Sequence, residues 1–211
     1  MKELLFETKG IGKTYGTNTV LHDIDMKVYS GEVIGLIGEN GAGKSTLMKL
    51  ICGAEKPSMG SMYLRGEEYH SNSILESNHQ GIGMVFQEQS LVGALTIAQN
   101  IFLGREKKYS KAGFVNWAAM NQDAKKTLGQ VGLNFDPNKK VRDLDFAARQ
   151  MVEIAKAMAK NVRLLILDEP TVAVDPQSRN SILEGIRNLN QQGTTIVYTS
   201  HYMEEIEALC D

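Results

Sequence analysis

The chain has 211 residues, 23 of them Lys or Arg and 25 Asp or Glu, which gives a formal net charge of −2. This balance argues against a dedicated nucleic-acid-binding protein, whose surface is usually strongly basic. The hydrophobic fraction of 42% and the charged fraction of 23% are typical of a globular domain. No apolar run is long enough for a membrane span and no secretory signal is visible. Two cysteines, Cys52 and Cys210, are too few for a disulfide framework, so a reducing cytosol is expected.

Short apolar runs predict strands that are buried on both faces, as in parallel sheets. The three runs are Val33–Ile37, Leu164–Leu167 and Thr195–Thr199. Upstream of them, Ile24, Met26 and Val28 alternate with more polar side chains. That alternation is typical of a half-exposed strand.

Helical periodicity appears in two later segments. Apolar residues recur every three or four positions over 151–159 and again over 182–189. Asp175 and Pro176 suit the N-cap and the first turn of the second helix, and Gly193 suits its end.

The order of these elements predicts an α/β fold. Strands that alternate with helices favour a core with a mostly parallel sheet. Short strands and turns over residues 56–86 indicate a small antiparallel layer, so we expect an antiparallel subdomain at about 1–30 and 56–80. Residues from about 90 to 160 are predicted to form a helical subdomain, with a charged loop near Arg105 to Lys111.

A glycine-rich turn follows the first apolar run and precedes an apolar helix that we place at Leu47–Ile51. It fits the Walker A pattern G-x-x-x-x-G-K-[ST]. Its residues are Gly38, Glu39, Asn40, Gly41, Ala42, Gly43, Lys44, Ser45 and Thr46. Glycines let the backbone N–H groups surround a phosphate, and the helix N-terminus adds partial positive charge. We expect Lys44 to reach the β- and γ-phosphates and Ser45 to bind Mg²⁺. The alternative is a chance glycine-rich turn.

An acidic pair follows the second apolar run. Asp168 and Glu169 stand at the carboxyl end of a predicted buried strand, which is where α/β folds bind ligands. Asp168 suits the Walker B role of holding Mg²⁺, and Glu169 beside it suits a residue that orients the attacking water. Taken alone, such a pair is also compatible with the N-terminal cap of a helix.

The class of phosphate-loop protein can be narrowed further. A GTPase would carry an Asn-Lys-x-Asp motif for reading the base. The only Asn-Lys pair here, Asn138-Lys139, is followed by Lys140 and Val141. Small-molecule kinases fit poorly because the carboxylate pair lies so far along the chain from Lys44.

Further short motifs, taken in their order along the chain, resemble those of an ATP-binding cassette (ABC) nucleotide-binding domain, a P-loop NTPase, over the whole sequence. Tyr15, in Lys-Thr-Tyr-Gly, matches the aromatic residue that stacks on adenine. Gln87, after a predicted strand at Ile82–Phe86, matches the glutamine that meets Mg²⁺ and relays to the transport subunit. Asp175 matches the D-loop aspartate, and His201 matches the switch histidine that contacts the γ-phosphate. Each match is weak by itself, since a lone Tyr, Gln or His most often has only a structural role.

Within this family, two branches are represented. Residues 30–160 are most similar to carbohydrate-importer ATPases, for example in the stretches 99–106 and 150–157. Residues 175–210 look more like the drug and polysaccharide exporter branch. Sugar import is therefore the leading expectation and export remains the alternative.

One family motif is degenerate. Where the signature Leu-Ser-Gly-Gly-Gln is expected, the sequence reads Leu-Asp-Phe-Ala-Ala, with Asp145 in place of the serine and Phe146 and Ala147 in place of the glycines. In the family this segment clasps the γ-phosphate bound to the opposite subunit. Asp145 would place a carboxylate there, and it also suits the N-cap of the helix that follows. Impaired hydrolysis is a second alternative.

The resemblance implies an ATPase that powers transmembrane transport, with ATP and Mg²⁺ as cofactors. Lys44, Glu169 and His201 would be catalytic, and Ser45, Gln87 and Asp168 would hold Mg²⁺. Expected partners are transmembrane permease subunits, a second nucleotide-binding domain and, for an importer, a substrate-binding protein; no nucleic acid is expected. The protein would lie at the cytoplasmic face of the cell membrane. Residues 1–211 would form a single ABC domain that is truncated after His201, since family domains continue further.

Two other functions remain open. A soluble ABC ATPase of DNA repair or translation would usually carry long coiled-coil insertions or paired cassettes with basic arms, and this sequence shows neither. A regulatory module that binds ATP without productive hydrolysis would differ from a transporter subunit in its turnover with and without a membrane partner.

Overall fold

The computed structural model describes residues 2–111, 113–172 and 174–210. In chain order the strands are β1 (Leu4–Tyr15), β2 (Asn18–Tyr29), β3 (Val33–Ile37), β4 (Met59–Leu64), β5 (Glu67–Glu68), β6 (Ile82–Val85), β7 (Ser110–Lys111), β8 (Phe114–Val115), β9 (Leu164–Asp168) and β10 (Thr195–Ser200). The helices are α1 (Lys44–Ile51), α2 (Ile74–His79), α3 (Ile97–Ile101), α4 (Trp117–Gln130), α5 (Phe146–Met158), α6 (Pro176–Gln191) and α7 (Met203–Leu209).

The parallel sheet has the strand order β3-β10-β9-β6. In its register Thr199 of β10 pairs with Asp168 of β9, and Ser200 pairs with Ile37 of β3. The carboxyl ends of these three strands therefore meet at one edge of the sheet. This edge carries the glycine-rich turn, the acidic pair and His201, as the sequence predicted.

The prediction that Val33–Ile37 is buried on both faces was wrong. Every residue of β3 keeps some solvent exposure, and Ile37 is 45% exposed. β3 is an edge strand of the parallel sheet and contacts α7, whereas the other edge strand, β6, is fully buried because α2 and α5 both pack against it. An apolar run alone does not distinguish an edge strand from a central one.

The antiparallel sheet has the strand order β2-β1-β4-β5. It confirms an antiparallel layer formed by two separate stretches of the chain. The interpretation of residues 56–86 as strands and turns was incomplete, however. α2 lies within that stretch, and β6 joins the parallel sheet. Ser73 caps α2 by accepting a hydrogen bond from the Glu76 backbone N–H. A serine at this position is a local signal for a helix start that the prediction of strands did not use.

Two hydrophobic clusters lie on opposite faces of the parallel sheet. Alternate residues of the strands belong to different clusters. Ile166 packs in the cluster that contains α1 and the antiparallel sheet, and Leu165 packs in the cluster that contains helices α3 to α7. Because successive side chains of a strand point to opposite faces and both faces of β9 are covered, the residues Leu164–Leu167 are all apolar. The fold is thus an α/β core with an antiparallel sheet on one side and a helical region on the other.

Candidate active site

The glycine-rich turn is shaped by glycines in a left-handed conformation. Gly41 has φ of 85° and Gly43 has φ of 90°, values that side-chain-bearing residues rarely adopt. A Cβ on Gly43 would lie 2.6 Å from Leu21 Cδ2 and 3.1 Å from the Val20 carbonyl oxygen. Conformation and packing therefore both require glycine at this position.

α1 begins directly after this turn. Gly43 is its N-cap residue, and within the described part of the chain no side chain caps the helix there. The first-turn N–H groups of α1 thus carry the partial positive charge of a helix N-terminus without a side-chain acceptor. The helix starts at Lys44, three residues before the predicted Leu47, because the turn residues themselves continue into helical conformation.

Lys44 lies across the turn and connects it to the acidic pair. Its Nζ donates hydrogen bonds to the carbonyl oxygens of Gly38 at 2.7 Å and Glu39 at 3.2 Å. The same Nζ lies 3.7 Å from Glu169 Oε1. The ammonium group is therefore held at the mouth of the turn, where it would meet an anion.

Asp168 ends β9 with a buried carboxylate. Its Oδ1 accepts hydrogen bonds from Ser45 Oγ at 3.1 Å and Thr199 Oγ1 at 2.9 Å. A hydroxyl and a carboxylate in contact form the oxygen donor set that Mg²⁺ prefers. Gln87, the third predicted metal residue, is exposed and lines a cavity together with Ser45, whereas Asp168 lies behind the lining residues. The residues present thus fit a magnesium ion.

Glu169 is the only catalytic candidate with an unusual backbone conformation. Its φ is 49°, in the left-handed region, and its N–H donates to Thr199 Oγ1 at 2.9 Å. Oε1 lies 2.6 Å from His201 Nε2. Backbone strain of this kind is concentrated at functional sites.

His201 follows β10 and closes the cluster. Its Nδ1 lies 3.0 Å from the Gly38 carbonyl oxygen and 3.5 Å from Lys44 Nζ. Lys44, Glu169 and His201 are therefore in mutual contact, although they come from three distant parts of the sequence.

A cavity of about 360 Å³ opens at this cluster. Its lining residues are Val20, Asn40, Gly41, Ala42, Gly43, Lys44, Ser45, Thr46, Gln87 and Glu169. Most of the residues predicted from the two motifs are thus brought to one concave site, which presents backbone N–H groups, one cation and a carboxylate.

Tyr15 lies beside the site on the antiparallel sheet. It is 44% exposed at the end of β1, and its hydroxyl donates a hydrogen bond to Glu55. That bond raises the pKa of Tyr15 above its usual value, while a hydrogen bond with Thr46 acts in the opposite direction. The Tyr15 hydroxyl also holds the pKa of Glu55 below its usual range. Lys13 Nζ lies 4.9 Å from the ring centroid. The interaction with Thr46 involves the Tyr15 hydroxyl, which therefore lies near the last residue of the phosphate turn.

Two predicted residues serve as helix caps away from this cavity. Asp145 Oδ1 accepts a hydrogen bond from the Ala148 N–H at 2.7 Å at the start of α5. Asp175 Oδ1 accepts from the N–H groups of Gln177 and Ser178 at the start of α6. The predicted capping roles are confirmed for both residues.

The profile of the ABC transporter family matches residues 21–172, well over half of the chain. The chain belongs to the ABC transporter family. It is an ATP-binding cassette domain of the P-loop NTPase fold, and the family's cassettes are ATPases.

Curated relatives of this cassette are sugar importers by name. The ribose import ATP-binding protein RbsA of Caldanaerobacter subterraneus subsp. tengcongensis is 39% identical over 210 residues, which is 99% of this chain and 42% of the relative. The xylose import ATP-binding protein XylG of Escherichia coli is 40% identical over 209 residues, 98% of this chain and 40% of the relative. The cassette therefore spans about two fifths of the length of these relatives.

Solved structures share the fold. CbiO1 of Clostridium perfringens, part of the ABC transporter complex CbiONQ, superposes with a TM-score of 0.84 at 25% identity. The match covers 100% of this chain and 83% of CbiO1. Among the described residues of the cassette, none of the helices combines the length and apolar character that a membrane crossing requires.

Sequence reasoning missed one central residue. Thr199 donates to Asp168 and accepts from the Glu169 N–H, so a single hydroxyl orients both acids. The available signal was its place in the strand register, one residue from the end of β10 and level with the end of β9. Recognising it required knowledge that these two strands are neighbours.

Proposed function

We propose that this cassette binds Mg·ATP in the cavity at the phosphate turn and hydrolyses it to ADP and phosphate. The observation that carries the proposal is the mutual contact of Lys44, Glu169 and His201 at the mouth of that turn. A cation, a carboxylate and an imidazole at one point are suited to neutralise charge, accept a proton and contact a terminal phosphate.

The binding roles follow from where each group lies. The backbone of the turn from Gly38 to Thr46 would surround the phosphates, and Lys44 would neutralise β- and γ-phosphate oxygens. Tyr15 would stack on adenine. Ser45, Gln87 and Asp168 would hold Mg²⁺, which supplies charge neutralisation on the phosphate oxygens when bound.

The hydrolytic step uses Glu169 and His201. Glu169 orients a water molecule and accepts a proton from it as the water oxygen bonds to the γ-phosphorus. The bond from that phosphorus to the β–γ bridging oxygen breaks, and the electron pair leaves with ADP. His201 donates a hydrogen bond to the γ-phosphate. Thr199 keeps the backbone of Glu169 in place through the hydrogen bond to its N–H.

Replacement of Glu169 by Gln tests the assignment. Glu169→Gln keeps the size of the side chain but removes the base, so we expect Mg·ATP affinity by calorimetry to stay within about threefold. Phosphate release should fall by about 100-fold or more, the usual contribution of a general base. Glu67→Gln, an exposed residue of β5, is the matched control and should behave as wild type. Unchanged turnover in Glu169→Gln would contradict the proposal.

We further propose that the cassette powers sugar import through transmembrane permease subunits at the cytoplasmic face of the membrane. The support is the name of the curated relatives, which are ribose and xylose import proteins at about 40% identity. A second nucleotide-binding domain and a substrate-binding protein would complete the transporter. Export by the drug and polysaccharide branch is the competing assignment.

Reconstitution of the transporter in lipid vesicles distinguishes import from export. In proteoliposomes with the permease pair, turnover should rise several-fold on addition of a sugar-loaded binding protein, with ribose and xylose as the first sugars tested. Stimulation by an amphipathic drug added from the cassette side, with no response to sugars, would instead support export.

A specific observation favours impaired hydrolysis as a second candidate function. Asp145 places a carboxylate at the N-terminus of α5, and it already accepts the Ala148 N–H there. If this segment faces the γ-phosphate of a partner, like charges about 5 Å apart at an effective dielectric near 20 would cost about 3 kcal/mol. The cassette would then bind ATP at its own site while contributing a poor signature to its partner.

Restoring the signature tests this candidate. The triple variant Asp145→Ser, Phe146→Gly, Ala147→Gly keeps a capping hydroxyl and removes the charge and the side chains. Turnover of the assembled pair should rise about tenfold or more, while Mg·ATP affinity of the single cassette stays unchanged. Asp143→Ser, an exposed neighbour, is the matched control. Equal turnover in the triple variant and wild type would contradict impaired hydrolysis.

A further inference from the structure

A second buried carboxylate lies close to the active site without lining its cavity. Glu205 of α7 is 1% exposed, whereas Glu204 and Glu207 of the same helix are exposed. A buried carboxylate is costly unless it is paired and hydrogen-bonded. The proposed reaction assigns no role to Glu205, so its burial requires another explanation.

Both carboxylate oxygens of Glu205 have polar partners. Thr171 Oγ1 lies 2.8 Å from each carboxylate oxygen, Tyr198 Oη donates at 2.8 Å and Ser200 Oγ donates at 2.6 Å. Arg179 Nε lies 3.2 Å from Oε1. Burial raises the pKa of Tyr198, which keeps its hydroxyl protonated as a donor. Three hydroxyls and one guanidinium thus converge on one carboxylate.

These partners belong to the segments that carry the catalytic candidates. Thr171 is two residues after Glu169, and Ser200 immediately precedes His201. Ser200 Oγ also accepts a hydrogen bond from the Tyr202 N–H at 2.9 Å, so the backbone on both sides of His201 is fixed.

The fourth partner of Glu205, Arg179, connects the carboxylate to the start of α6. Arg179 lies in the first turns of that helix, and its guanidinium lies 4.7 Å from the Tyr202 ring centroid. Glu205 therefore connects three segments: the loop after β9, the end of β10 and the beginning of α6.

We propose that Glu205 is a positioning residue that holds Glu169 and His201 in the relative placement needed to act on one γ-phosphate. The inference rests on the proposed ATP hydrolysis. Glu205 does not touch the nucleotide; it acts through Thr171 and Ser200. Because a displacement of about 1 Å in a catalytic group can lower a rate by about 100-fold, the loss of this anchor affects the chemical step more than binding.

A single-turnover experiment on the full chain tests the role. Wild type, Glu205→Gln and the exposed control Glu204→Gln are each saturated with Mg·ATP, and phosphate release is followed with time. The rate constant reports positioning, and the amplitude reports the fraction of folded protein. Mg·ATP affinity is measured in parallel by calorimetry.

We expect the rate constant of Glu205→Gln to fall about tenfold or more, with affinity within about twofold of wild type and Glu204→Gln unchanged. A loss of amplitude with an unchanged rate constant would show a purely structural role and overturn the proposal. A parallel fall in affinity and rate would also overturn it, since positioning predicts that they separate. Failure of wild type to hydrolyse ATP would instead refute the proposed function.

Two milder variants keep the inference testable if Glu205→Gln does not fold. Tyr198→Phe and Ser200→Ala each remove one donor to Glu205 and keep most of the packing. We expect each to lower the single-turnover rate constant about threefold or more at constant affinity. Wild-type rate constants in both would overturn the role of Glu205.

Discussion

At the scale of single residues, Gly43 shows how one backbone conformation determines the shape of the proposed phosphate site. Its φ of 90° turns the chain into α1, and Leu21 packs where a Cβ would lie. The glycine therefore couples the phosphate turn to β2 of the antiparallel sheet. A side chain there has to displace either the turn or the strand.

Replacement of Gly43 by Ala should weaken nucleotide binding strongly. The new Cβ clashes with Leu21 and strains the turn, so we expect Mg·ATP affinity to fall by about tenfold or more in calorimetry. Gly193→Ala is the control, because Gly193 has φ of 94° with no atom within 4 Å of the added Cβ. Both variants lose about 1–2 kcal/mol of stability from the left-handed conformation, but only Gly43→Ala should lose affinity. Equal affinities would refute this account of the turn.

The residue scale also shows what the sequence could reveal about the site. The glycines, Lys44, Ser45 and the acidic pair are adjacent in short motifs, so their chemistry is readable from spacing alone. Thr199 and Glu205 are not readable in this way. Glu205 stands in an acidic, helical stretch that resembles any solvated helix surface, and its burial depends on how α7 packs against β10.

At the scale of elements, helix caps are the features that sequence predicts best. Asp175 and Pro176 begin α6 as expected, because an N-cap acts within three residues of itself. Strand position is predicted less well. β3 has the composition of a central strand and lies at an edge, since the neighbour of a strand is chosen by the fold of the whole chain.

The N-terminal cap of α6 should make the stability of the protein depend on pH. Hydrogen bonds from the side chain and backbone of Ser178 hold the pKa of Asp175 below its usual value. A lowered pKa in the folded state means that the ionised cap stabilises the protein above the unfolded pKa, near 3.9. This stability is lost as pH falls through the lower folded value.

We therefore expect Asp175→Ala to be less stable than wild type at pH 7, with the gap narrowing as the pH falls below about 4. Urea unfolding at a series of pH values measures the gap. Asp175→Asn, which keeps an uncharged cap, should show less pH dependence than wild type in the same range. A gap that stays constant from pH 7 to pH 3 would contradict the cap as its origin.

At the scale of the whole molecule, the parallel sheet joins two hydrophobic clusters. β9 contributes Leu165 to one cluster and Ile166 to the other. Neither cluster can lose its packing without disturbing a strand that the other also needs. The helical region and the antiparallel sheet should therefore unfold together, although they lie on opposite faces.

Core truncations on the two faces test this coupling. Leu165→Ala and Ile166→Ala should each lower the free energy of unfolding by about 2–5 kcal/mol in one cooperative transition. Leu75→Ala, where the side chain is 71% exposed, should change it by less than about 0.5 kcal/mol. Circular dichroism and tryptophan fluorescence during urea unfolding provide two probes. Two separate transitions in either core variant would show that the clusters are independent.

The double burial of β9 also limits how the strand can evolve. A strand with one solvent-exposed face accepts polar replacements at every second position, so tolerant and intolerant positions would alternate along it. All five residues of β9 are buried, up to and including Asp168. In saturation mutagenesis the segment Leu164–Asp168 should appear as one unbroken intolerant block, in which the apolar residues are held by packing and Asp168 by the hydrogen bonds of its carboxylate.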